Sequence, residues 1–200
     1  MLISNGDNME KIITKFVNSI ATYNNYTSEQ KQEIEYTLKI MVYELIKILL
    51  LMCIFHLAGY LNESIVILFV MGVTKPFIGG YHEDSQIKCF IATAILIAII
   101  IQLSVKSNIS YMGCVLLNLV SIFLIYNRAP VLNDKMPITR SNLIKRNRII
   151  GITNTSILAI GSIAFFSSTR LAQVVVWTIC IQTMLMFNKN EFKVYKGVRK

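Results

Sequence analysis

Charge is what this sequence has least of. Only 16% of its 200 residues are charged, against 54% that are hydrophobic, whereas a soluble domain carries charge at about a quarter of its positions. That shortage excludes an ordinary water-soluble domain. Cysteine is scarce as well: Cys53, Cys89, Cys114 and Cys180 form no CxxC pair and no zinc-ligand spacing, which excludes a disulfide framework and leaves most of them as packing residues. No phosphate-cradling glycine loop, dinucleotide fingerprint or metal cluster occurs, so neither cofactor nor metal is expected. Repeats and low-complexity tracts are missing too. The N-terminal region has no short apolar core ending in a small-residue cleavage site, so no cleaved signal is expected.

Long apolar runs are what the chain does have. Uncharged stretches cover residues 89–105, 109–126, 149–166 and 171–187, each close to the roughly 17–25 residues that cross a hydrocarbon layer about 30 Å thick. Runs 40–61 and 64–77 are less clean, because Glu44 and Lys47 interrupt the first and Lys75 and Pro76 end the second. The expected fold is all-α: a polytopic membrane bundle of about six transmembrane helices. A four-span version, with the two earlier runs not crossing, also fits the hydropathy. Met9, Ile12, Ile13, Phe16, Val17 and Ile20 recur at helical spacing, which reads as an amphipathic helix lying in the membrane interface. Thr27-Ser28-Glu29-Gln30 reads as the start of the first long helix. The chain is taken as one integral-membrane domain: an interfacial region over 1–38, the bundle over 39–187 and a basic tail over 188–200.

Lysine and arginine resist translocation and collect in short cytoplasmic loops. Seventeen of them fall in the N-terminal region, the loop after the second run, the loop after the fourth and the tail, against Lys106 and Arg170 on the other side and Lys47 within the first run. Six spans with both termini cytoplasmic produce this asymmetry. The net charge of +9 is read mainly as topogenic, with no nucleic-acid partner implied. Its second reading is a face that receives an acidic peptide or anionic lipid.

Two histidines limit the acid–base chemistry. His56, among Cys53, Phe55 and Leu57, reads as a packed side chain. His82 follows Gly79-Gly80-Tyr81 and precedes Cys89 by seven residues, a rise of about 10.5 Å if the helix were continuous. Imidazole and thiol could then not meet. They could meet if Asp84 or Ser85 caps a new helix, leaving His82 in a loop that Gly79 and Gly80 allow to fold back over the helix end, with Cys89 in the second turn. His82 would then hold the proton of a Cys89 thiolate, favoured by the helix N-terminus. The bland alternative is a cysteine opening a membrane helix beside an interfacial histidine. Glu44 and Lys47, three apart on one helical face, either pair with each other or contact substrate. Gln102 and Asn118 read as interhelical hydrogen-bonding residues.

Gly79-Gly80-Tyr81-His82, then Cys89 after six residues, then Ala129-Pro130-Val131 and Pro137-Ile138 in the basic loop resemble the accessory gene regulator B (AgrB) membrane endopeptidases over essentially the whole chain. Lys75 stands where that family usually has arginine, keeping the charge but losing bidentate carboxylate binding. The resemblance implies a bacterial cytoplasmic-membrane cysteine endopeptidase of quorum sensing, acting on an AgrD-type precursor with an amphipathic leader, a central cysteine or serine, and an acidic tail. By that analogy His82 activates Cys89, which cleaves off the tail, holds the remainder as a thioester and releases a thiolactone or lactone ring. Gln86, Ser85 and Gly80 are candidates to orient His82 or stabilise an oxyanion. Lys75, Lys88, Lys145, Arg146, Arg148 and Glu44 are candidates for substrate contact. The bilayer is a further partner, and a homodimer is compatible with so small a bundle. A small transporter, or a lipid- or peptide-binding scaffold without catalysis, is the rival reading.

Overall fold

The computed structural model describes residues 13–21, 23, 26–80, 85–131, 141–167 and 169–187. The chain forms two compact units, Met1–Leu51 and Met52–Lys200. Six helices are named in chain order: α1 Ser28–Leu57, α2 Leu61–Ile78, α3 Gln86–Lys106, α4 Tyr111–Arg128, α5 Ser141–Ala164 and α6 Arg170–Leu185. Among the described residues there is no β-strand.

In the first unit residues 13–21 are helical and bury Ile13, Val17 and Ala21, one face at steps of four, while Phe16 is 57% exposed. The buried stripe is thus narrower than the sequence pattern suggested, and its Met9 and Ile12 lie outside the described residues. Thr14 donates its hydroxyl to Glu35 Oε1 at 2.7 Å, joining this segment to α1. The expected start of α1 is borne out: Gln30 N–H donates to Thr27 Oγ1 at 3.3 Å, and Thr27 N–H to Gln30 Oε1 at 3.0 Å. This reciprocal capping box satisfies two backbone donors that would otherwise have no helical partner. Glu44 and Lys47 form an ion pair one turn apart on α1.

In the second unit α6 packs against α2, α3, α4 and α5 and is the axis of the bundle. Its position shows in its burial: Val174, Val176, Thr178, Ile179, Cys180, Gln182 and Thr183 are all enclosed. α5 buries a row of small residues, Gly151, Thr155, Ala159 and Ser162, with Gly151 against Ile78 of α2, Ala159 beside Val70 and Ile179, and Ser162 bonded to Asn118 of α4, the pattern that lets helix backbones approach when no water drives them together. Polar side chains link the helices inside. Asn118 Nδ2 donates to Ser162 Oγ at 3.0 Å and lies 3.6 Å from Cys114 Sγ, as its sequence reading anticipated. Thr74 Oγ1 and Gln182 Oε1 lie 2.6 Å apart between α2 and α6, and Asn154 Nδ2 donates to the Val73 carbonyl at 3.0 Å. Gln102, by contrast, is exposed.

Outward, the second unit shows Phe69, Ile95, Leu116, Phe123, Ile157 and Ile160, each about half exposed or more. An interior in which Ser64, Thr74, Asn118, Thr155 and Gln182 are buried among Ile67, Ile97, Ile125 and Ile179, inside a surface of large apolar side chains, suits lipid. Among the described residues four helices, α1 to α4, are long and apolar enough to cross a membrane. This differs from the sequence reading, in which 149–166 and 171–187 stood with 89–105 and 109–126 as clean spans and the runs at 40–61 and 64–77 were the less clean ones. Here α5 begins with a basic turn and α6 is an apolar helix of only 16 residues, about 24 Å of rise. Conversely, Pro76 does not end α2, which continues to Ile78. Its missing N–H removes a single bond near the helix end, where little is lost.

Candidate functional site

The last turn of α2 delivers Gly79 and Gly80 with φ of 75° and 129°, backbone that a side chain tolerates poorly. There they meet the segment leaving α4. Val131 N–H donates to the Ile78 carbonyl at 2.9 Å, and Gly79 pairs with Val131 in a parallel bridge. A Cβ on Gly79 would stand 2.0 Å from the Val131 carbonyl oxygen, so this contact requires glycine. Behind it Ile78, Ile125, Ala129 and Met186 form a buried cluster with Val131 and Ile152 packed alongside. Gly151 completes it, since a Cβ there would lie 2.9 Å from Ile78 Cγ2. The glycine pair and Ala129-Pro130-Val131, fifty residues apart in sequence, are therefore one structural feature.

α3 starts between the positions of His82 and Cys89, at Gln86. Ser85 is the N-cap, with extended φ and ψ of −118° and 138°, and Cys89 N–H makes the first bond into the helix, to the Ser85 carbonyl at 2.9 Å. Cys89 thus opens the second turn, and the Ser85 side chain makes no capping bond. Cys89 is half-buried, and its carbonyl accepts from Thr93 Oγ1 at 2.7 Å. Cys114 and Cys180 are buried, and Cys53 faces outward from α1. His82, with Tyr81, Glu83 and Asp84, lies outside the described residues, as do Pro137 and Ile138.

The remaining candidates divide. Gln86 and Lys88 are exposed in the first turn of α3. A cation there opposes the helix dipole, so helix stability does not explain Lys88. Lys75 is half-buried in the last turn of α2, where the dipole favours it. Lys145 and Arg146 are exposed on α5. Arg148 donates to the Tyr126 carbonyl at 2.8 Å and lies 5.2 Å over the Tyr126 ring, closing the end of α4. Glu44 is engaged by Lys47 on α1. His56 is exposed in the last turn of α1, which corrects its reading as a packed residue: the outward face of α1 carries it.

Sequence reading missed Arg128, whose guanidinium carbon sits 4.5 Å over the Phe187 ring, and the Thr74–Gln182 pair. The small-residue spacing 151, 155, 159 and 162 was available in the sequence as a signal for the α5 seam. Among the described residues no group of three or more His, Cys, Asp or Glu side chains could hold a metal.

An all-α chain with several long apolar helices and an apolar exterior is a multi-pass membrane protein. The model of the family Accessory gene regulator B matches residues 11–186, and the chain belongs to that family. A Clostridium perfringens strain 13 protein named "Putative AgrB-like protein 1" is 41% identical over 181 residues, covering 90% of this chain and 97% of the relative. Two further C. perfringens AgrB-like proteins, from strains SM101 and 13, are 28% and 27% identical over 149 residues, each alignment covering 70% of this chain and 67% of the relative. No solved structure matches the chain.

Proposed function

We propose that this protein is a membrane cysteine endopeptidase of the agr quorum-sensing pathway, cleaving an AgrD-type precursor and closing its peptide into a ring. The observation that carries the reading is the start of α3 between His82 and Cys89, because only a break in the helix lets a loop imidazole reach a thiol in the second turn. Family membership supports the same chemistry.

His82 takes the Cys89 proton, and the thiolate attacks the carbonyl carbon at the junction of the central segment and the acidic tail. The C–N bond breaks, and the tail leaves as an amine carrying the proton from His82. The acyl group remains on Cys89 as a thioester. The precursor's own thiol or hydroxyl then attacks it, the Cys89 C–S bond breaks, and the thiolate returns. Water must be excluded, since hydrolysis would discard the activated acyl group. Gly80 N–H, Ser85 and Gln86 are the donors proposed to orient His82 or stabilise the oxyanion.

In the same reading the chain is one domain of six spans in the bacterial cytoplasmic membrane, with both termini and the glycine pair on the cytoplasmic side, as the basic residues favour. The amphipathic leader lies in the interface beside residues 13–21. Lys75, Lys88, Lys145 and Arg146 attract the tail. The test is processing in proteoliposomes: Cys89→Ala and His82→Ala should each abolish precursor cleavage while the protein stays monodisperse. Undiminished cleavage by folded Cys89→Ala would leave the transporter or scaffold reading standing.

A further inference from the structure

At the glycine end of the bundle Arg128 is held by both its backbone and its side chain. Arg128 is the last residue of α4, and Ala129 after it is fully buried in the cluster with Ile78 and Met186. Val131 is hydrogen-bonded to Ile78 and bridged to Gly79. Three residues of chain span at most about 11 Å, so the clasp fixes the Arg128 backbone within that distance of Val131. The side chain is held as well, 4.5 Å over Phe187, which follows Met186 of the same cluster. A guanidinium carried on a ring face has in-plane N–H donors that match a carboxylate, and its five donors serve more than one acceptor. Lys145 and Arg146, by contrast, lie exposed on long, flexible stems.

We propose that Arg128, seated on Phe187, is a specificity-determining residue that binds a carboxylate of the acidic peptide segment beside the cleaved bond. The inference rests on the peptide-processing reading above. It selects, among the basic residues of this face, the one whose position is tied to Gly79 through backbone and whose charge is oriented by an aromatic platform.

The test measures binding without turnover. Cys89→Ala protein in zwitterionic phosphatidylcholine nanodiscs is titrated with a fluorescein-labelled glutamate-rich peptide and with its glutamine-substituted counterpart. Arg128→Gln should weaken the glutamate peptide about tenfold, and Arg128→Lys and Phe187→Leu by about threefold, with no change for the glutamine peptide. Arg128→Lys and Phe187→Leu keep the question open to test should Arg128→Gln not fold. Unchanged affinity for the glutamate peptide in folded variants, or equal losses for both peptides, overturns the proposal. So does a phosphatidylglycerol preference that disappears in Arg128→Gln while peptide affinity holds, which reassigns the residue to lipid. Because cleavage is not read, failure here is distinguishable from failure of the Cys89 mechanism.

Discussion

The two ends of the second unit are built differently. At the end where α2, α4 and α6 begin, the links are short and the contacts ordinary. Ser110 caps α4 by accepting from Gly113 N–H at 3.1 Å, Trp177 Nε1 donates to Ser107 Oγ at 2.9 Å, Tyr111 and Phe166 meet edge to face at 6.0 Å, and Arg170 pairs with Glu63 at 3.7 Å. At the other end two glycines adopt positive φ, a loop segment is clasped backbone to backbone, and arginines stack on rings. The first end uses common, replaceable interactions, and its own positive-φ glycine, Gly59, has open space around it. The second adds a close approach at Gly79 that only glycine permits, and backbone of that kind gathers where geometry serves function.

Substitutions can break this comparison, and the largest effect should come at Gly79. Gly79→Ala places a methyl 2.0 Å from the Val131 carbonyl oxygen on a backbone with φ of 75°. Opening the clasp should cost about 2–4 kcal/mol and lower processing about a hundredfold, read by denaturation in detergent and by precursor cleavage. Next is Gly151→Ala, whose methyl meets Ile78 Cγ2 at 2.9 Å and backbone at 3.3 Å. It should destabilise by about 1–3 kcal/mol through overpacking, visible as a lowered unfolding midpoint. Ser162→Ala, removing the acceptor of Asn118 in mid-bundle, should cost about 1 kcal/mol in the same assay. Smallest is Glu63→Gln at the opposite end. Its ion pair should be worth no more than about 0.5 kcal/mol, and processing should be unchanged within error. If Glu63→Gln harms processing as much as Gly79→Ala, the two ends are not functionally distinct.

What the sequence revealed follows the range of the interactions involved. The capping box Thr27–Gln30 is local, set by side chains within four residues, and was legible; the helix start was legible as Asp84 or Ser85, and falls at Ser85 although its side chain makes no capping bond. Asn118 was legible too as an interhelical hydrogen-bonding amide, whereas the same reading did not hold at Gln102, which is exposed. The Gly79–Val131 contact was not legible as a contact: each motif stood out separately, but their meeting depends on α2 and α4 ending together around Ile78. The bond from Arg148 to the Tyr126 carbonyl was not legible for a related reason, since it depends on where α4 ends relative to α5. Pro76 and the 16-residue α6 show that hydropathy windows misjudge helices whose ends or partners are set by packing.

The central claim is that Cys89, poised at the start of α3, carries the peptide as a thioester. Intact-mass spectrometry of the reconstituted protein with a precursor whose ring-forming cysteine or serine is replaced by alanine tests it most directly. The account predicts an adduct of the leader and central segment, labile to hydroxylamine, absent in Cys89→Ala and strongly reduced in His82→Ala. Tail release with no adduct on the wild type, persisting in Cys89→Ala, would contradict it.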